Sequence, residues 1–209
     1  MIRISLLLTL LVVFSTNANK WDHLFDRAQY QDVKISPDGK HLAIAVISQG
    51  KRSLAFMETN TMKLVGGAVL NGKDQVGSYH WVSDSRVVIE VNRSKPGRAQ
   101  LVSYGELFSV NYDGSEGKMI YGLRAGSRPT GGRLKKAKNS YAWASIIDTL
   151  PEDEKHILIK STPMSDDGSK LPEVYKLNIY NGLTSRKIST APIPYAQFIT
   201  DTKGDLALA

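Results

Sequence analysis

Few folds can accommodate the segment Val33 to Val46, VKISPDGKHLAIAV, because it reads as two short strands joined by a tight turn and is apolar on both faces. Ser36-Pro37-Asp38-Gly39 places Ser at the first turn position, Pro where its ring already holds φ at about −65°, and Gly at the fourth, the order a type I turn favours. Before the turn Val33 and Ile35 share a face. After it Leu42, Ile44 and Val46 share one, while Ala43, Ala45 and Ile47 fill the other. An apolar run this short could by periodicity alone be a buried helix; the turn and the β-branched residues decide for strand. A strand with no face for water belongs inside a stack of sheets.

The pattern then returns. Ser53 to Met57, the polar turn Glu58-Thr59-Asn60-Thr61 and Met62 to Val65 form a second hairpin that completes a set of four strands with the opening unit, Asp32 to Val46. A second set is expected from Ser78 to Val82, the turn Ser83-Asp84-Ser85-Arg86, Val87 to Val91, Leu107 to Tyr112, the Asp113-Gly114 turn and Lys118 to Tyr121. The third runs Tyr141 to Ile147, a turn through Pro151-Glu152-Asp153-Glu154, His156 to Lys160, Val174 to Tyr180, Asn181-Gly182 and Ser185 to Ser189. Asp-Gly and Asn-Gly between alternating runs are strong hairpin signals. Tyr195 to Ile199, Asp201-Thr202-Lys203-Gly204 and Asp205 to Ala209 begin a fourth set.

The strands after each first turn begin at Leu42, Val87, Ile157 and Leu206, spaced by 45, 70 and 49 residues; the polar insertions Asn92 to Tyr104 and Gly122 to Ser140 account for the longer middle interval. A repeat of about 40 to 50 residues with four short antiparallel strands is the mark of a β-propeller blade. The competing all-β arrangement is a sandwich, whose strands should alternate apolar and polar more cleanly. Repeat spacing favours the propeller: an all-β fold of three blades plus the start of a fourth, open and truncated. Since an unpaired apolar edge such as Leu206-Ala207-Leu208-Ala209 invites aggregation, the chain is expected to be a piece of a longer polypeptide.

The first residues speak to compartment. Met1-Ile2-Arg3 is a short positive start, Ile4 to Phe14 an apolar run, and Ser15-Thr16-Asn17-Ala18 a small and polar close, the layout of a secretory signal peptide over 1–18. The run falls short of the roughly 20 apolar residues of a membrane span, so no stable membrane anchor is expected, and there is no cysteine to carry a lipid. Residues 19–209 then form the propeller domain, led by Lys20 to Gln31, where Trp21, Leu24, Phe25 and Ala28 recur at helical spacing and suggest a short helix or turn packed on the first strand. Absence of cysteine excludes disulfide scaffolds, thiol catalysis and cysteine-based zinc sites. A net charge of +7 is mild for 209 residues and does not by itself imply nucleic acid. The expected location is the periplasm or the exterior.

The turn Ser36-Pro37-Asp38-Gly39 with Lys40-His41-Leu42-Ala43 after it, and Phe25-Asp26-Arg27-Ala28 leading through Tyr30-Gln31-Asp32-Val33 before it, resembles the start of exported members of the prolyl oligopeptidase family of serine peptidases, which includes dipeptidyl and acylaminoacyl peptidases. The same turn is similar to the blades of the periplasmic Tol-system propeller. The later turns depart from the motif. The first resemblance implies an α/β-hydrolase domain of the same polypeptide as partner, a Ser, Asp and His triad in it that cleaves short peptides, and a propeller that restricts peptide substrates' access. The second implies a module that binds protein partners. Neither implies a cofactor.

No catalytic residue can be placed in this chain. The Gly-x-Ser-x-Gly elbow that exposes a serine nucleophile is missing, and Gly114-Ser115-Glu116-Gly117 and Gly126-Ser127 are explained by turn chemistry. His23, His41, His80 and His156 share no metal-ligand spacing and are read as structural, so no metal site is assigned. Glu152-Asp153-Glu154 could hold a substrate's amino group, but a solvated turn explains it better. From Gly117 to Ile147 there is no acid, and Lys118, Arg124, Arg128, Arg133, Lys135, Lys136 and Lys138 lie within it. Without Walker spacing or interleaved aromatics this is read as an inter-blade insertion, with no nucleic-acid partner.

Overall fold

The computed structural model describes residues 30–126 and 139–208. They form three four-stranded antiparallel meanders and a two-stranded one. The first sheet is β1 (Tyr30–Ile35), β2 (His41–Ser48), β3 (Lys51–Glu58) and β4 (Leu64–Ala68). The second is β5 (Asp74–Trp81), β6 (Arg86–Arg93), β7 (Val102–Asn111) and β8 (Lys118–Tyr121), and the third β9 (Ala142–Asp148), β10 (His156–Pro163), β11 (Glu173–Asn178) and β12 (Ser189–Thr190). β13 (Ile199–Thr200) and β14 (Leu206–Leu208) follow.

The opening turn folds as its residues require. The Gly39 amide donates to the Ser36 carbonyl at 2.9 Å, and the Ser36 hydroxyl donates to Asp38 Oδ1 at 2.6 Å while accepting from the His41 amide at 3.0 Å. Ile35 then pairs with Leu42 and Val33 with Ile44.

Sheets stack in chain order through their faces, and alternation along the strands decides which residues go where. Ala43, Ala45, Leu54 and Phe56 of the first sheet meet Val76, Tyr79, Trp81, Val87 and Ile89 of the second. Val88, Leu107 and Ile120 meet Ile157, Ile159 and Leu177 of the third, whose other face gives Leu158 and Val174 to a smaller cluster with Phe198 and Leu206. The middle strands are therefore buried on both sides: Val87, Val88 and Ile89 in β6, and Ile157, Leu158 and Ile159 in β10. In the first two steps the third strand of one sheet packs across the first strand of the next, β3 on β5 and β7 on β9, and first strands approach one another at β1 to β5 and β9 to β13. This is an open β-propeller arrangement, not two sheets clasped as a sandwich.

Where β7 meets β9, Gly105 allows the closest approach. A Cβ there would collide with the Ala144 amide and the Trp143 Cα, and its φ of 66° lies in the left-handed region that favours glycine.

Four details differ from the expectations. Val33 and Ile35 are 54% and 56% exposed, because no sheet among the described residues lies on that face of the first blade. Arg86, expected in a turn, opens β6 and is fully buried. Its Nε donates to Ser109 Oγ at 2.7 Å and to the Ile179 carbonyl of the third blade at 3.1 Å, Nη1 donates to Asn111 Oδ1 at 2.5 Å, and Tyr180 lies 4.7 Å beneath the guanidinium. The last strand of the third blade is shorter than Ser185 to Ser189 and begins at Ser189, preceded by a single bridge from Thr184 to Leu177. Tyr30 and Gln31 belong to β1; the rest of the expected helix, and the 1–18 leader, lie outside the described residues.

Candidate functional site

In each of the second and third blades the start of the first strand lies beside the end of the second: Asp74 opposite Arg93, Ala142 opposite Pro163. Two arrangements of polar side chains are built there, and Gly105, backed against Trp143, joins them.

The first is a clasp of two buried carboxylates and two arginines. Asp74 accepts from Arg93 Nε at 2.8 Å and from Arg124 Nη1 at 2.6 Å. Glu106 accepts from the Arg124 amide at 3.1 Å, from its Nε at 2.9 Å and from its Nη2, and Arg93 Nη2 stands 3.5 Å away. Burial alone would raise the Asp74 carboxyl, but the hydrogen bonds from Arg93 and Arg124 outweigh it and hold the group below its ordinary value. Bonding to Glu106 raises Arg124 further against the opposing effect of burial. Both acids are paired with arginines, which suits them to hold the strand ends together.

The second is a cleft of about 570 Å³ between the third blade and the approach to β13. Trp143 of β9, 43% exposed, and Tyr195, 82% exposed, supply its aromatic surfaces. Tyr195 has a φ of 62°, an uncommon conformation for a bulky residue. Between them Lys160 Nζ donates to Gln197 Oε1 at 3.3 Å. The loop over residues 165–170 adds Asp167, whose carboxyl is held low by the amide and hydroxyl of Ser169, at 3.0 and 2.8 Å. Aromatic surface thus lies beside separated charges in a cleft whose volume is of the order that small ligands occupy.

Arg124, singled out in the sequence as one of a run of cations, joins the clasp; the other described residues singled out there lie elsewhere. His41 stacks on Tyr112 with ring centroids 3.9 Å apart, and burial lowers the His80 imidazole, with Lys34 adding to the effect. His156 Nδ1 lies 3.0 Å from Asp153, so the acidic turn fastens its own hairpin. Burial pushes the Asp153 carboxyl up, but His156, the Lys155 amide and Lys176 together hold it below its ordinary value. Ser115 accepts from Asn111 Nδ2 at 3.0 Å in the β7–β8 turn. Among the described residues no serine hydroxyl bonds a histidine ring and no three His, Asp or Glu converge as metal ligands. His23, Ser127 and the basic residues Arg128, Arg133, Lys135, Lys136 and Lys138 lie outside the described residues.

No family model matches the chain, and no curated protein matches it. Among solved structures it is similar to a Clostridium novyi NT protein assigned as a conserved lipoprotein, at 12% identity and a TM-score of 0.42 over 74% of this chain and 89% of that one. It is also similar to a prolyl endopeptidase, at 16% identity and a TM-score of 0.40 over 82% of this chain, and to the tricorn protease, at 9% and 0.38 over 84%. The chain spans 22% and 20% of the length of those two peptidases. At these values the likenesses assign neither family nor activity.

The clasp was missed because Arg124 reads as one of a run of cations and Asp74 falls between the expected strands Met62 to Val65 and Ser78 to Val82. A weak signal existed: Glu106 directly precedes the apolar pair Leu107-Phe108, and an acid buried there needs a cation. Nothing local marks the cleft, whose walls come from segments some fifty residues apart. Among the described residues no helix is long and apolar enough to cross a membrane.

Proposed function

We propose that this chain is the non-catalytic propeller portion of an exported prolyl oligopeptidase-type serine peptidase, its blades restricting peptide access to an α/β-hydrolase domain of the same polypeptide. One observation carries the reading: the Ser36-Pro37-Asp38-Gly39 motif on which the resemblance rests forms the first turn of a four-stranded blade, with its Ser, Asp and Gly each in a defined hydrogen bond.

A second reading, a Tol-type periplasmic module that binds protein partners, is favoured by the exposed aromatic group Tyr141, Trp143 and Tyr195. The coding sequence beyond codon 209 separates the two. Roughly 250 further residues with a nucleophile elbow support the peptidase, whereas further blades followed by a stop support the module. A fluorophosphonate probe offered to residues 1–209 should label nothing; stoichiometric labelling of a serine would refute the non-catalytic assignment.

A further inference from the structure

The chain contains two Asn-Gly steps, Asn71-Gly72 and Asn181-Gly182, and the fold treats them oppositely. Asn71 and Gly72 are both exposed in the link from β4 to β5. The Asn71 carbonyl accepts from the Asp74 amide at 3.2 Å, closing a turn whose second residue is Gly72 at a φ of 61°. The Gly72 amide has no hydrogen-bond partner among the described residues, and a Cβ on Gly72 would meet no atom within 4 Å. At the other step the Gly182 amide donates to the Asn178 carbonyl at 2.9 Å, the Leu183 amide to Asn181 Oδ1 at 2.9 Å, and the Asn181 amide to Asn178 Oδ1 at 3.1 Å.

We propose that Asn71 is a site of spontaneous deamidation, with water as the only co-reactant, and that the fold protects Asn181 from the same reaction. The Gly72 nitrogen, with no side chain beside it, attacks the Asn71 Cγ. The new N–Cγ bond closes a cyclic imide, the Cγ–Nδ2 bond breaks, and the departing nitrogen leaves as ammonia with the proton that the Gly72 nitrogen gives up. Water then opens the ring at Cγ, giving aspartate, or at the main-chain carbonyl, giving isoaspartate. At Asn181 the attacking nitrogen must first leave the Asn178 carbonyl and the side-chain oxygen must leave the Leu183 amide.

The product has a structural consequence. Isoaspartate adds a methylene to the main chain three residues before Asp74, in a turn whose flanking carbonyls, Leu70 and Gly72, are both held by Lys51 Nζ. Lengthening this turn draws Asp74 away from Arg93 and Arg124 and loosens the clasp.

The test incubates the full chain at mildly alkaline pH, folded and in denaturant, and follows both Asn-Gly peptides by mass spectrometry with separation of aspartyl from isoaspartyl products. The ratio of Asn71 to Asn181 conversion should be about tenfold higher in the folded chain than in the unfolded one, the factor expected from one or two hydrogen bonds guarding Asn181. An equal ratio in the two states, or a native chain in which Asn181 leads, would overturn the proposal. Aged wild type should melt at lower temperature than fresh protein while Asn71→Gln aged alongside it does not. Equal losses in both would sink the link to the clasp.

Discussion

Arg86 shows what a single side chain can do in this fold. Its guanidinium crosses from the second blade to the Ile179 carbonyl of the third while satisfying Ser109 and Asn111 on its own sheet. Arg86→Ala leaves those groups without a donor and opens a hole, and should cost about 2–4 kcal/mol in a urea unfolding experiment. Arg86→Lys should recover only part of this, since one ammonium cannot reproduce the planar fork. A neutral Arg86→Ala would show that the blades are not joined there. Asp38 presents the opposite case, a half-buried carboxylate whose partners are all local. The Ser36 hydroxyl first, and then the Lys40 amide, bring it down to about 2. In an NMR titration Asp38 should stay ionised until close to that pH; a midpoint near the ordinary 3.8 would contradict the turn geometry. The two residues also mark what a sequence can disclose. Ser36-Pro37-Asp38-Gly39 is legible because all its bonds close within six residues. Arg86 is not, because its decisive acceptor lies 93 positions away.

Strands were legible for a related reason. β2, β6 and β10 carry apolar residues at consecutive positions, and only burial on two faces accommodates Val87-Val88-Ile89 or Ile157-Leu158-Ile159 in extended chain. The short β12 was harder to read, since its pairing with β11 is set by two positions, Glu173 with Thr190 and Val174 with Ser189. Between elements the Asp74–Arg93–Arg124–Glu106 clasp ties the start of β5, the end of β6, β7 and the segment after β8. Asp74→Asn should cost about 1–3 kcal/mol near neutral pH, less than for a fully buried pair because both arginines reach solvent. The Asp74 carboxyl sits below its ordinary 3.8, so its stabilisation is complete above that pH and is lost as pH falls through the lower folded value. The gap in melting temperature between wild type and Asp74→Asn should therefore shrink below pH 3.8. A gap that stays constant or widens on acidification would show that Asp74 is not held ionised by the arginines.

Taken together, the blades form an arc in which each sheet leans on its sequence neighbour. The repeat was legible because its spacing is about one blade long; the exposure of Val33 and Ile35 was not, because a strand's apolar pattern does not say whether a neighbour is present. Replacing both by Thr should change stability by no more than about 0.5 kcal/mol, as for other exposed positions. A loss several times larger would mean that this face is covered in solution. The stacking order itself can be read from side-chain nuclear Overhauser contacts in the folded chain. Contacts should join Phe56 to Trp81, whose rings lie 5.9 Å apart, and Leu107 to Ile159, with none between the Ala43–Phe56 face of the first sheet and the Ile157–Leu177 face of the third. A set of contacts between those two faces would place the first sheet directly against the third, and the propeller would be wrong.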